Sequence, residues 1–118
     1  MTEATIRAGA CGFATRVRAQ LEPDGEVVLS VTSDCPSVRR LAQSLIRLDP
    51  LREISYRGQI PAVLDAARSL LPHPACVVPS GILKAVEVAA GLALPTDAGI
   101  TFDGADGAIP QEAGNGPG

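Results

Sequence analysis

The sequence predicts an α+β fold: an antiparallel sheet of three to four strands with three helices packed on one face. Two periodic segments near the start and two proline-opened apolar stretches further on carry that expectation. Thr15, Val17, Ala19 and Leu21 alternate with Arg16, Arg18 and Gln20, the period of two that a half-buried strand imposes. Glu26 to Thr32 repeats the pattern through Val27, Leu29 and Val31. Pro23-Asp24-Gly25 between them is a turn signal, so the two strands pair as a hairpin. An earlier strand over 4–9 turns Ala4, Ile6 and Ala8 to one side, and the small residues from Gly9 to Gly12 form the turn around Cys11. Together these make a meander with one wet face.

Pro36 opens a helix that the spacing of Val38, Leu41, Ala42, Leu45 and Leu48 extends to about Leu48, where Pro50 stops it. Residues 53–57 read as a short strand or as extended chain. Pro61 opens a second helix to about Leu71, and Pro72-His73-Pro74 breaks it. Ser80 is the expected N-cap of a third helix over 81–90, with Gly91 as its left-handed terminator. Its only charges, Lys84 and Glu87, form one narrow stripe, so it is expected to be the most buried helix, with those two as a surface pair. Gly99 to Asp103 reads as a last strand through Ile100 and Phe102. The expected division is one α+β domain over 1–103 and a disordered Gly/Ala/Pro-rich tail over 104–118.

Composition narrows the function. Aromatic residues are 3% and tryptophan is absent, so the core is aliphatic and no stacking platform for bases or sugars is available. A net charge of -3 argues against nonspecific nucleic-acid binding. The first residues show neither a basic n-region nor a long apolar run, and Glu87 and Gly91 interrupt the longest apolar stretch, Ala85 to Leu94. The expectation is therefore a cytoplasmic protein with no membrane contact. Three cysteines in a reducing compartment are not a disulfide framework; they are small core hydrophobes, metal ligands or reactive thiols.

No CxxC is present, and the cysteine signal lies in the topology. If the first strand runs up, it ends at Cys11; the third strand ends at Ser33-Asp34-Cys35; and a second helix that climbs back delivers His73 and Cys76 to the same end. Cys35 falls at the start of a helix, where free backbone N–H groups and the positive dipole end favour a thiolate. Asp34 beside it acts the other way. Two chemistries fit the donors. Cys11, Cys35 and Cys76 with His73 would make a tetrahedral zinc site, and His73 and Cys76 have H-x-x-C spacing. The three thiolates alone would hold an iron–sulfur cluster with one open iron, or with a ligand from a partner.

Blander readings stand beside these. A single cysteine is by default a buried hydrophobe, and a histidine between two prolines is by default a solvated loop residue. A Cys35–His73 nucleophile–base pair has no accompanying oxyanion motif. Capping explains Ser80 better than a Ser-x-x-x-Lys pairing with Lys84 does. Arg7, Arg16 and Arg18 line the open sheet face as solvated residues or as a dock for an acidic partner.

The segments Ala8-Gly9-Ala10-Cys11-Gly12-Phe13, Ser33-Asp34-Cys35, Ala75-Cys76-Val77-Val78-Pro79 and Ile82 to Pro95 resemble a family of short, uncharacterised bacterial and archaeal proteins, common in anaerobes and methanogens. The resemblance spans residues 5–103. It implies a shared domain type and shared cysteines, with no activity attached, and its anaerobic setting favours iron–sulfur over zinc. The expectation is an accessory protein that serves a larger protein or complex and is not a stand-alone enzyme. The alternatives are a thiol redox or sulfur-handling protein with Cys35 as the reactive thiol, or a metal-free interaction module.

Overall fold

In the computed structural model, residues 1–103 are described. The expected tail over 104–118 lies outside the described residues. Three strands come first: β1 (Thr2–Arg7), β2 (Ala14–Leu21) and β3 (Val27–Ser33). They pair antiparallel in chain order, with Ile6 opposite Thr15 and Thr15 opposite Ser33 at one end, and Leu21 opposite Val27 at the other. The alternation read from the sequence is the alternation of burial through Gln20, with Thr15, Val17 and Ala19 buried and Arg16, Arg18 and Gln20 exposed, but Leu21, expected on the buried face, is exposed at the strand end. Gly25, at φ +91°, closes the β2–β3 connection, where Gly25 N–H donates to Glu22 C=O at 2.9 Å.

Helix α1 (Pro36–Ser44) follows, with Pro36 in its first turn and Cys35 at its N-cap. The expected continuation to Leu48 does not occur. The chain leaves the helix at Leu45, and Arg47–Leu48 form a fourth strand, β4, opposite Val28 and Val27. The Leu29 N–H donates to Ile46 C=O at 2.8 Å beside it. Leu45 and Leu48 are both buried here, as the helical spacing also required, so that spacing cannot separate helix from strand; the free edge of β3 decides it. Pro50, expected only as a stop, also starts a one-turn helix, α2 (Pro50–Glu53), capped by Asp49 Oδ1 accepting from Leu51 N–H at 3.0 Å. No strand forms over 53–57.

Helix α3 (Ala62–Leu70) lies within a residue of its expected bounds. Helix α4 (Val78–Ala89) starts earlier than expected. Its N-cap is Val77, and Ser80 lies inside the first turn and is not the cap. Pro79 is the reason: in the first turn its fixed φ suits the helix, and the N–H it lacks would have been unpaired there. Gly91 terminates α4 at φ +76°, as expected. Lys84 and Glu87 make no ion pair; those among the described residues lie elsewhere. Gly99–Asp103 joins no strand, and its residues are exposed.

The helices cover one sheet face. α4 packs on β1 and β2, α1 packs on β3, and α3 packs against both helices. One aliphatic core results, with Val17, Val27, Leu41, Val63, Val78, Ile82 and Val86 fully buried. Gly81 allows α4 to approach the sheet so closely, since a methyl group there would fall on Cδ1 of Ile6 and 2.5 Å from its Cγ1.

Candidate functional site: the cysteine-bearing end

Two of the cysteine-bearing connections leave one end of the sheet, and the third, between two helices, lies at the same end. The β1–β2 hairpin turns through Gly9 (φ +84°) and Gly12 (φ +74°), with the Gly12 N–H donating to Gly9 C=O at 2.9 Å. Cys11 sits inside that turn, exposed. β3 ends beside it, because Ser33 pairs with Thr15, the residue opposite Ile6. Cys35 follows two residues later. α3 starts from the opposite end, where the α2 residue Glu53 holds its first N–H groups, and α4 starts against Ile6 through Gly81. The chain therefore climbs along α3, and Cys76 lies in the connection that enters α4 at the Ile6 end.

Cys35 sits in a hydrogen-bonded junction between β3 and α1. Thr15 Oγ1 and Ser33 Oγ form a buried hydrogen bond of 2.9 Å across the β2–β3 pair. Ser33 Oγ also accepts the Cys35 backbone N–H at 3.1 Å. Arg39, one helical turn on, donates from Nε to Ser33 C=O at 2.7 Å, and its Nη2 lies 3.6 Å from Asp34. The Cys35 thiol caps nothing. A shallow depression along β3 and α1, lined by Val31, Ser33, Asp34 and Arg39, opens beside this junction. Cys35 and Cys76 are both half-buried and pack against the aliphatic core, while Cys11 does not join it. His73 is exposed in the connection before Cys76.

Sharing an end is not sharing a centre. Among the described residues, no group of three or more His, Cys, Asp or Glu side chains is close enough to hold one metal ion. Cys11, Cys35, Cys76 and His73 thus occupy one end of the fold without three of them forming such a group.

The opposite sheet face carries the other candidate set. Arg16 stands between Thr5 and Thr32, and Arg18 between Glu3 and Ser30. Glu3 Oε1 lies 3.6 Å from Arg16 Nη2 and 3.5 Å from Arg18 Nε. All are exposed, so these contacts add little stability. Arg7 lies diagonal to Arg16 and makes no ion pair among the described residues.

Sequence reasoning missed Glu53. Its carboxylate is buried and accepts from the N–H groups of Ala62 at 2.8 Å and Val63 at 2.9 Å. It caps α3 from outside that helix, in place of Pro61, the N-cap residue, which makes no side-chain cap bond. A lone acidic residue ahead of a capless proline-opened helix was the available signal. The buried atoms it serves show that its role is structural.

The arrangement defines a small α+β domain with a thiol-bearing end and an arginine-bearing open face. Among the described residues no helix is long and apolar enough to cross a membrane. The chain belongs to a family of unknown function (DUF6951), which matches residues 2–102. Neither a curated protein nor a solved structure matches it.

Proposed function

We propose that this protein is a small accessory protein that holds a metal ion or an iron–sulfur cluster with the thiolates of Cys11, Cys35 and Cys76, His73 being the fourth ligand in the zinc case. The observation that supports the reading is topological: three connections distant along the chain, two from the sheet and one between α3 and α4, lie at the Ile6–Thr15–Ser33 end, and each carries one cysteine. Cys35 is the anchor, held at the start of α1 by the Ser33 and Arg39 contacts. Assembly requires the Gly9–Gly12 turn and the 71–77 connection to close on it, and neither segment is tied into a helix or strand. A three-thiolate cluster leaves one iron free for a partner's ligand, which suits electron transfer, cluster delivery or a structural site in a larger complex. The open face suits the docking step, since Arg7, Arg16 and Arg18 outnumber their one acidic neighbour, Glu3, and favour an acidic partner surface.

Elemental analysis of anaerobically purified protein tests the proposal. The expected result is about one zinc per chain, or about four irons with a brown colour and absorbance near ~400 nm. Cys11→Ser, Cys35→Ser and Cys76→Ser should each lower the metal content. Metal-free protein would sink the idea. One rapidly alkylated thiol would then leave the Cys35 redox reading, and three inert thiols the interaction module.

A further inference from the structure

After Gly91 the chain runs through exposed residues to Asp103 without a helix or strand. Two of these residues, Ile100 and Phe102, are 75% and 88% exposed. They sit two apart in Gly99-Ile100-Thr101-Phe102-Asp103, so in extended chain they fall on one face. The segment has the β-branched and aromatic residues that strands favour and joins no strand of its own fold. The family match runs to residue 102 and so takes this segment in as part of the domain.

The sheet offers a matching vacancy. β1 is an outer strand of the four. The Ala8 N–H donates to Phe13 C=O at 3.2 Å, which sets the alternation: residues 2, 4, 6 and 8 turn their backbone groups to β2, and Glu3, Thr5 and Arg7 turn theirs outward. Among the described residues those outward groups have no hydrogen-bond partner in the chain. An unpaired edge six residues long beside an unpaired strand-forming segment is a geometry that natural proteins rarely leave open.

We propose that Gly99–Asp103 of one molecule adds as a strand to the β1 edge of a second copy, and that the exchange is reciprocal. Pairing would satisfy the outward groups of Glu3, Thr5 and Arg7. It would lay Ile100 and Phe102 on the helix-covered side, beside half-buried Ala4 and the core residue Ile6. A second copy is the fitting occupant because the segment stands clear of its own sheet and its own β1 is equally free. One pairing per molecule then closes a two-fold dimer with no edge left over at β1. The inference stands apart from the metal proposal, since it uses none of the cysteines.

Sedimentation velocity on the full chain over a wide concentration series is the test. The expected species has twice the 12.1 kDa chain mass at high concentration. Ile100→Asp with Phe102→Asp should halve that mass, and so should Thr5→Pro, which removes an N–H that the single molecule does not use. The double variant lies off the folded body, so loss of folding cannot mimic its effect. Amides of 99–103 should gain protection from hydrogen exchange only where the dimer forms. A monomer at every concentration would overturn the proposal, as would a dimer indifferent to both changes. So would a monomer whose 99–103 amides are already protected, which would put the segment on its own sheet.

Discussion

Gly81 and Glu53 each do a job that no other residue type at that position does equally well. At Gly81 the usual benefit of alanine in a helix, about 1 kcal/mol, is opposed by a methyl group driven into Ile6. Ile6 is β-branched and packed, so it cannot swing clear without loss. Gly81→Ala should therefore destabilise the fold by about 1–3 kcal/mol, read from the denaturant midpoint. Adding Ile6→Val, which removes the atom nearest the new methyl, should recover part of the loss; full additivity of the two changes would contradict the steric account. At Glu53, replacement by alanine leaves two N–H groups at the start of α3 without their acceptor. The expected cost is about 2 kcal/mol, and Glu53→Gln, which keeps one acceptor oxygen, should cost less. Equal losses for the two variants would mean that packing, and not hydrogen bonding, sets the value. Ser33 ranks with them, since Ser33→Ala removes the bonds to Thr15 and to the Cys35 N–H together.

At the scale of elements, the exit from α1 is the informative case. The apolar spacing from Val38 to Leu48 fits one long helix, and the chain instead makes a shorter helix and a two-residue strand that bury the same leucines. The extra hydrogen bonds that β3 offers decide between them. Hydrogen exchange reads this directly. The Leu29 N–H, bonded to Ile46 C=O, should exchange slowly, whereas that of Val31, the next residue aimed off the same edge, should exchange fast because β4 does not reach it. Equal rates would deny β4 its role. Arg47 fastens the same element to the β2–β3 turn through Asp24 at 2.8 Å and Glu26 at 2.9 Å, and the Glu26 hydrogen bond holds its guanidinium above the usual arginine value. Gly91 closes α4 in the left-handed region with no atom within 4 Å of where a β-carbon would stand, so Gly91→Ala should cost about 1 kcal/mol through backbone strain alone.

For the molecule as a whole, one core unites sheet and helices, so unfolding should be a single transition. Leu41→Ala in α1 and Ile82→Ala in α4 should each cost about 2–5 kcal/mol and shift the same far-ultraviolet transition. Two separable transitions would divide the domain. Tyr56, at 81% exposure, is a poor reporter of this event, and no tryptophan is present. The cysteines also belong to this scale. Strand directions and the climb of α3 bring Cys11, Cys35 and Cys76 to one end. Their spacing there depends on two connections outside regular structure, which backbone periodicity does not specify.

The sequence alone determined the three-strand meander, the aliphatic core, α1 and α3 to within a few residues and the glycine stop of α4. Each of these rests on near neighbours: a period of two or 3.6, a proline that sets φ, a glycine that takes positive φ. Only the tertiary structure decided where α1 ends, what caps α3, why position 81 must be glycine, and that Ile100 and Phe102 join no strand of their own molecule. These outcomes depend on which distant group wins a backbone bond or a contact, and a one-dimensional pattern does not encode that competition. The candidate site divides along the same line. The shared end of the three cysteines follows from strand directions, and their spacing there is set by connections outside regular structure.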